Sequence, residues 1–357
     1  MESSRVVLYH LLFSLYINDM GRHISEGIRG ALIGDGVNGV PCMLYADDLS
    51  LTTNDPGEMQ IMLNRLRTYA TRKGLSVNTS KSEVVHFNSR PCSSLPTFMY
   101  GDVALPRKDQ FKYLGMLVDK NMNLKVSEEH AVRPYMAAQQ RIKKFVHEHG
   151  LRDRPHALIW LSKVYGIPAG MYACQVWGTE YLHEGSEFKS HLQKRHMWML
   201  KRALGVKSSV TNWPVLRECG QEPLQFYWFR ATIKFFNCML ESNSATLRQV
   251  LKADLRLAER DETCWSAHVS AAFGGMHSED IFKQKMRSAT KLPMQEFLGE
   301  LRHRQQKVWR EAETLNPREA RKKAVTYHHW CGVPAHPTAR VPYRIRCIYL
   351  RIWVEKS

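Results

Sequence analysis

The chain has 357 residues, of which 44% are apolar and 24% are charged, and these values are ordinary for folded domains. They argue against a wholly disordered chain, a fibrous repeat or a small disulfide scaffold. The formal charge of +17 is unevenly placed, because residues 1–150 hold 18 basic and 15 acidic side chains whereas residues 151–357 hold 33 and 19. A basic half beside a near-neutral half indicates a polyanionic partner, with nucleic acid favoured over an anionic membrane surface.

The apolar and cysteine-containing segments favour neither a membrane span nor a zinc site. Residues 6–17 are too few for a span, which needs about 20 apolar residues, and we expect them to form a buried helix of a soluble domain. The eight cysteines are scattered without a CxxC pair, which is typical of reduced thiols. Cys331, His336 and Cys347 do not have the full spacing of a zinc knuckle.

A tight β-hairpin is predicted near residue 45, where the apolar segments 40–44 and 49–52 flank the polar run Tyr45-Ala46-Asp47-Asp48. Two adjacent carboxylates repel each other, so a fold tolerates them most readily in solvent or on a cation. Such a pair serves nucleotidyl transfer, in which two Mg²⁺ ions about 4 Å apart clamp the attacking and leaving oxygens. A bare Asp pair is more often a solvated turn, but a pair preceded by Tyr-Ala between apolar strands is a stronger signal.

The next segments predict a helix and then further strands. Asp55 as N-cap, Pro56 at the first helical position and Glu58 in a capping box begin a helix that ends near residues 73–74. The strands predicted after it, in an antiparallel sheet, are 75–77, 83–87, 98–103 and 111–118.

From about residue 125 the apolar period becomes helical. On the helix predicted over 187–204, the pairs Lys194/Arg195 and Lys201/Arg202 repeat after seven residues opposite an apolar face. Such a stripe is usually a solvated face. Trp177 and Trp198 are expected in the core, the Arg-rich region 285–325 is expected to be helical, and the tail 327–357 is expected to be poorly ordered.

The segment MLYADDLSL (43–51) resembles the YxDD box of reverse transcriptases. Residues 11–20, 74–87 and 111–115 resemble neighbouring motifs of that family in order and spacing. Further along, the segments 172–182, 192–206 and 216–235 resemble the thumb and connecting region of non-LTR (LINE-type) retrotransposons. Over residues 11–235 the chain is therefore similar to the reverse transcriptase part of a non-LTR retroelement polyprotein.

The resemblance implies a role for each matching residue. Asp47 and Asp48 would bind Mg²⁺ or Mn²⁺, and Lys81 would assist the departure of pyrophosphate. The substrate-contacting residues would be Tyr45 and Ala46 at the primer or nucleotide and Tyr113, Leu114 and Gly115 at the primer end. For Lys194, Arg195, Lys201 and Arg202, the resemblance implies contact with template–primer phosphates.

The sequence departs from the family upstream of the hairpin. A further catalytic Asp on an earlier strand belongs to the family pattern, but Asp19 follows a predicted helix and Asp35 lies in a Gly-flanked loop. We therefore expect a copy that lacks the fingers, the first carboxylate strand and both ends of the parent polyprotein. A site with only two of its three catalytic carboxylates would stabilise the transition state poorly. We therefore expect no measurable polymerase activity from this chain alone.

The expected fold class is α+β. The C-terminal part of a reverse transcriptase palm, an antiparallel sheet with helices, would occupy 1–122, a mainly α-helical thumb or connection 123–240, and a basic helical region 241–357. The first hypothesis is an RNA-directed DNA polymerase region that binds an RNA template, a DNA primer or target and, if active, dNTP, and no membrane. The alternative is a non-catalytic nucleic-acid-binding remnant or relic. A nuclear location would follow only from the family.

Overall fold

The computed structural model describes residues 12–34, 38–87, 96–151 and 154–314. The chain divides into two compact units. The first comprises Met1–Phe111, Asp119–Met122 and Ser242–Leu257, and the second comprises Lys112–Val118, Asn123–Glu241 and Ala258–Ser357. Within the described ranges, no helix is long and apolar enough to cross a bilayer. The tail over 327–357, which the sequence predicts to be poorly ordered, lies outside those ranges.

Short strands are confined to the first third of the described chain, and helices make up the rest. Up to residue 122 the elements are α1 (Met20–Ser25), β1 (Ala31–Ile33), β2 (Asn38–Val40), β3 (Cys42–Tyr45), β4 (Asp48–Leu51), α2 (Pro56–Arg72), β5 (Met99–Tyr100), β6 (Val103–Ala104), β7 (Gln110–Tyr113) and β8 (Met116–Asp119). The helices that follow are α3 (Leu124–Glu148), α4 (Pro155–Leu161), a π-helix (Ser162–Gly166), α5 (Ile167–Gly170), α6 (Cys174–Trp177), a 3₁₀-helix (Gly178–Tyr181), α7 (His191–Ala203), α8 (Asn212–Glu218), α9 (Leu224–Glu241), α10 (Ala245–Leu257), α11 (Trp265–Ala271), α12 (Glu279–Arg287) and α13 (Met294–Thr314).

The strands pair as separate two-stranded hairpins, β1 with β2, β3 with β4, β5 with β6 and β7 with β8. Among the described residues no hairpin joins another, so the prediction of one antiparallel sheet is wrong in that respect. The predictions of strands at 75–77 and 83–87 are also wrong, because Val84 forms only an isolated bridge with Arg107. The segment between them is a turn around Asn78, whose side-chain oxygen accepts from the Ser80 hydroxyl at 2.7 Å. Local hydrogen bonds of this kind compete with strand pairing.

Helices α1 and α2 pack together to form the core of the first unit. The buried residues of this cluster are Ile17, Met20, Ile24, Met62, Leu66 and Tyr69. Residues 12–16 are helical, yet Leu12, Leu15 and Tyr16 are exposed. The expectation of a buried helix over 6–17 is therefore wrong for its described part, since only Phe13 and Ile17 reach the cluster. Residues 6–11 lie outside the described ranges.

The start of α2 confirms the predicted N-cap but not the capping box. The Asp55 carboxylate accepts from the backbone N–H of Gly57 at 2.6 Å, and Pro56 occupies the first turn. Glu58 does not close the box, because its carboxylate accepts instead from the N–H groups of Arg29 at 3.3 Å and Gly30 at 3.4 Å. The same carboxylate also accepts from the Thr53 hydroxyl at 2.6 Å, and its contacts with Arg29 and Gly30 tie the approach to β1 to the beginning of α2.

The core of the second unit is rich in aromatic side chains. Trp177, which is 1% exposed, meets Trp228 edge-on at 5.6 Å between ring centroids, so the prediction that it lies in the core is confirmed. A second group of mutually contacting rings consists of Phe229, Phe273, Phe282 and Phe297. Aromatic pairs of this geometry add about 0.5–1.5 kcal/mol each beyond their buried area.

Buried polar groups in this unit are matched to specific partners. His196 Nε2 donates to Gln221 Oε1 at 2.9 Å, and His196 Nδ1 accepts from the Tyr135 hydroxyl at 3.0 Å. Glu128 accepts from the backbone N–H of Leu192 at 2.9 Å and from the Tyr181 hydroxyl at 2.6 Å. These bonds compensate the cost of burying polar atoms, and they fix α7 against the elements around it.

Candidate active site

The β3–β4 hairpin closes on a two-residue turn formed by Ala46 and Asp47. Tyr45 and Asp48 are paired directly across the end of the hairpin, so the predicted hairpin is confirmed. Ala46 has a φ of +52°, a left-handed conformation that costs a non-glycine residue about 1–2 kcal/mol. The fold therefore holds a strained residue immediately before the two carboxylates.

The two faces of this hairpin have different surroundings. Leu49 and Leu51 pack against the first-unit core. Side chains alternate between the faces along a strand, and directly paired residues share a face. Met43, Tyr45 and Asp48 therefore lie on the other face, where all three are exposed, Tyr45 at 63%. Met43, which is 41% exposed, therefore does not belong to the first-unit core.

Neither carboxylate at the tip has a bonding partner among the described residues. Asp47 and Asp48 are exposed, and no described residue forms a hydrogen bond or ion pair with them. Asp19, in contrast, accepts a hydrogen bond from the Tyr69 hydroxyl and forms an ion pair with Lys73 at 3.4 Å. Both contacts lower the pKa of the Asp19 carboxyl, and the hydrogen bond from Tyr69 has the larger effect. Asp19 is thus engaged with α2, while Asp35 lies outside the described residues.

The described ranges contain no group of three or more His, Cys, Asp or Glu side chains that could hold a metal ion. Asp47 and Asp48 alone supply oxygen ligands of the type that Mg²⁺ and Mn²⁺ prefer.

Lys81 belongs to the turn around Asn78. Its backbone N–H donates to the Asn78 side-chain oxygen at 3.3 Å and to the Asn78 carbonyl at 3.2 Å, and the Ser82 hydroxyl donates to the same carbonyl at 2.9 Å. The turn therefore fixes the backbone and leaves the Lys81 side chain exposed. No described contact joins this ammonium to Asp47 or Asp48.

The turn of the β7–β8 hairpin carries the residues that resemble a primer grip. Leu114 has a φ of +45° and Gly115 a φ of +88°, the two left-handed residues typical of a type I′ hairpin loop. The Tyr172 hydroxyl donates to the Leu114 carbonyl. A Cβ at Gly115 would lie 3.1 Å from the Tyr172 ring, so that ring holds the turn. Tyr113 is half-buried in the strand that leads into it.

The basic residues predicted to contact nucleic acid lie on α7. Lys194, Arg195 and Arg202 are exposed and Lys201 is half-buried, with the Lys201 ammonium donating to the Ser208 carbonyl at 2.9 Å. Trp198 is 42% exposed, so its expected place in the core is wrong. It stands four residues after Lys194 and three before Lys201, which puts it on the basic face of the helix.

The Arg-rich region 285–325 is helical over 285–287 and 294–314, in α12 and α13, and residues 288–293 form the connection between these helices. Arg304 is buried and donates to the carbonyls of Ala272 at 2.7 Å and Leu182 at 3.1 Å. Arg302 pairs with Glu222 at 3.0 Å. Both guanidinium groups therefore form contacts within the protein that stabilise the packing of α13.

Comparison with known proteins supports a polymerase relationship for one part of the chain. No curated protein and no solved structure matches the chain significantly. A family model does match, and it covers the segment that contains the β3–β4 hairpin, α2 and the turn of the β7–β8 hairpin. Members of that family generally use divalent metal ions. Residues 10–118 match the family of reverse transcriptases (RNA-dependent DNA polymerases).

Proposed function

We propose that the chain carries part of the palm of an RNA-directed DNA polymerase from a non-LTR retroelement, with metal-binding residues on the β3–β4 hairpin. One observation carries the proposal, namely the hairpin tip, where Asp47 and Asp48 stand exposed and unpartnered among the described residues. This tip lies inside the segment that matches the reverse transcriptase family. Its substrates would be an RNA template, a DNA primer or target and deoxynucleoside triphosphates.

The chemistry of the two carboxylates fits a hard divalent cation. Oxygen ligands suit Mg²⁺ and Mn²⁺, and the absence of a described counter-charge favours cation binding at the pair. When bound, the metal would supply charge that stabilises the reacting phosphate and the leaving oxygen. The role of Asp47 and Asp48 is to hold that charge at the tip of a hairpin whose opposite face is fixed by Leu49 and Leu51.

Other residues that resemble motifs of the family would act on the substrate. The exposed ring of Tyr45 shares a face with Asp48 and, with Ala46, would contact the primer or the incoming nucleotide. Lys81 projects from a turn that is fixed by hydrogen bonds to Asn78. Its ammonium would protonate the departing pyrophosphate or neutralise part of its charge. The Leu114–Gly115 turn, held by Tyr172, would position the end of the primer.

We further propose that this chain alone does not extend a primer. Two carboxylates lie together, and the described ranges offer no third metal-ligating side chain beside them. Each missing electrostatic contact to a developing charge costs about 3 kcal/mol of transition-state stabilisation, which is more than a hundredfold in rate. A complete site would therefore need another carboxylate brought to the hairpin.

Two measurements on the purified chain test these proposals. Mn²⁺ binding, followed by electron paramagnetic resonance, is expected to be weak and to be lost in the variant Asp47→Asn/Asp48→Asn. Asp102→Asn is the matched control, because Asp102 is an exposed carboxylate in the turn of the β5–β6 hairpin. Equal loss of Mn²⁺ binding in both variants would contradict a metal site at residues 47 and 48.

Primer extension on an RNA template, with Mg²⁺ or Mn²⁺, is expected to yield no product from the unmodified chain. Extension that disappears in Asp47→Asn/Asp48→Asn would refute the proposed inactivity and would support the polymerase assignment. Binding of template–primer without extension is the result expected of the alternative, a non-catalytic nucleic-acid-binding remnant. The exposed basic face of α7 favours that alternative.

A further inference from the structure

A small cleft of the second unit lies where the end of α3, the start of α4 and α7 meet, and we call it the corner cleft. The turn that leaves α3 builds one of its walls. The N–H of Leu151 donates to the Val146 carbonyl at 2.8 Å, and the N–H of Gly150 donates to the His147 carbonyl at 3.3 Å. Since Gly150 has a φ of +64°, this is a Schellman motif, in which residues at the positions of Leu151 and Val146 are commonly in contact. Both of these side chains line the cleft.

The floor of the corner cleft is apolar and belongs to the packed interior. Its apolar lining residues come from the turn after α3, from α4 and from α7, and they are Val146, Leu151, Pro155, Leu158, Met199 and Ala203. Met199 is buried in a core cluster of the second unit, against which Leu158 and Ala203 also pack. The floor is therefore held in place by core packing, as in binding sites that are formed before the ligand arrives.

The rim of the corner cleft is positively charged. Lys143, Arg154 and Arg202 line it, and none of its described lining residues is an Asp or Glu. No described acidic side chain forms an ion pair with any of the three. Burial lowers the pKa of Lys143, and the nearby charge of Arg202 lowers it further, as expected where two cations lie close together without a counter-charge. An anionic partner would relieve this repulsion.

The volume of the corner cleft limits what can enter it. A cavity of about 150 Å³ accepts a benzene ring, whereas sites that enclose small-molecule ligands span about 300–1,000 Å³. The corner cleft has a volume of about 250 Å³, so it fits one large apolar side chain better than a whole small-molecule ligand.

We propose that the corner cleft binds a short acidic segment of a partner protein, whose leucine or phenylalanine side chain enters the apolar floor. Asp or Glu carboxylates on either side of that side chain pair with Lys143, Arg154 and Arg202. An apolar side chain in a pocket, surrounded by complementary charges at the rim, is a common arrangement in protein recognition. The inference does not depend on metal binding or catalysis at the β3–β4 hairpin, and either proposal can fail without the other.

Nucleic acid is the rival occupant, because its phosphates would also suit the three cations. It fits the floor less well. Single strands commonly stack their bases on aromatic side chains, and the described lining residues of the corner cleft include no Phe, Tyr or Trp. The six apolar side chains of the floor also offer no hydrogen-bonding group to a base edge.

The test is fluorescence anisotropy of short labelled peptides with the full chain, in EDTA so that no metal contributes. The first peptide has glutamates on both sides of a central leucine, the second has alanine in place of the leucine, and the third has glutamine in place of every glutamate. The alanine peptide is expected to bind about 10- to 50-fold more weakly than the leucine peptide, because it leaves the floor empty. The glutamine peptide is also expected to bind more weakly, because it cannot pair with the rim.

Substitutions in the chain test the two parts of the corner cleft separately. Arg154→Gln and Arg202→Gln are each expected to weaken binding of the leucine peptide about 2- to 5-fold and to reduce its salt dependence. Ala203→Leu fills the floor and is expected to bring the affinity for the leucine peptide down to that for the alanine peptide. Arg141→Gln is the matched control, because Arg141 is exposed on α3 but does not line the cleft, and it is expected to bind like the unmodified chain. Circular dichroism melting checks that each variant is folded.

Three results would overturn the proposal. Equal affinity of the unmodified chain for the leucine and alanine peptides is the first, and this comparison does not depend on the folding of any variant. An equal loss in Arg141→Gln and Arg154→Gln is the second, because it would indicate diffuse attraction to a basic surface. The third is a single-stranded oligonucleotide that loses as much affinity in Ala203→Leu as the leucine peptide does, since the cleft would then be a nucleic-acid site.

Discussion

The buried imidazole of His196 makes stability depend on pH in a way that one substitution isolates. The Gln221 side-chain oxygen is an acceptor, so Nε2 carries the ring proton, and Nδ1 accepts from the Tyr135 hydroxyl. The neutral ring is therefore satisfied at both nitrogens. Burial lowers the pKa of His196 to about 4, although the hydrogen bond to Gln221 partly opposes this effect.

The size of the effect follows from linkage. With a pKa of about 4 in the folded chain and about 6.5 when unfolded, the folded state binds fewer protons. The contribution is therefore complete above pH 6.5 and is lost as the pH falls towards 4. The loss amounts to about 1.4 kcal/mol at pH 5.5 and about 2.5 kcal/mol at pH 4.5.

Urea unfolding of the unmodified chain and of His196→Gln, followed by circular dichroism between pH 7.5 and 4.5, measures this loss. Glutamine keeps a donor and an acceptor but does not titrate, and the other titrating groups are common to both chains. The difference in free energy of unfolding between the two chains is expected to shift by about 2.5 kcal/mol across this range, to the disadvantage of the unmodified chain. A difference that stays constant with pH would refute the reasoning.

Three further substitutions test the local structure, each by the midpoint of urea unfolding. Pro134→Ala is expected to stabilise the chain by about 1–3 kcal/mol, because Pro134 is exposed inside α3 and removes a helical hydrogen bond. An unchanged midpoint would show that packing of the proline ring offsets the lost hydrogen bond. Leu114→Asn is expected to stabilise it by about 1 kcal/mol, because Leu114 is left-handed in a two-residue turn, and a loss would indicate that the leucine side chain matters more than its strain. Ser190→Ala is expected to destabilise the chain by about 1–2 kcal/mol, because the buried Ser190 hydroxyl accepts from the Gln193 N–H at 2.9 Å. Ser209→Ala is its control, because Ser209 is exposed, and this substitution should leave the midpoint unchanged.

Features fixed by neighbouring residues were predictable from the sequence. The β3–β4 hairpin needs only two apolar runs and a short turn, and the start of α2 needs only Asp55 and Pro56. Features that depend on distant partners were not. Glu58 has a local partner in the capping box, but it binds backbone groups near residue 30 instead.

The candidate residues show the same limit. Trp198 could have been assigned to the surface, because its spacing from Lys194 and Lys201 places it on the basic face of α7. Lys143 gave no such signal, since it meets Trp198 only through the packing of α3 against α7. The pairing of strands across longer loops is equally non-local, and the separate hairpins could not be read from the alternation of residues.

Helix α10 has a consequence for when the first unit can fold during synthesis. It is separated from β1 by more than 200 residues, yet both belong to the same unit, and a Cβ built on Gly34 would lie only 2.8 Å from the Ala253 side chain. During synthesis, the unit that carries the Asp47–Asp48 hairpin therefore stays incomplete until the ribosome has delivered residue 257. Closing so long a loop is slow, and an excised fragment that ends near residue 120 would expose the surface that α10 covers.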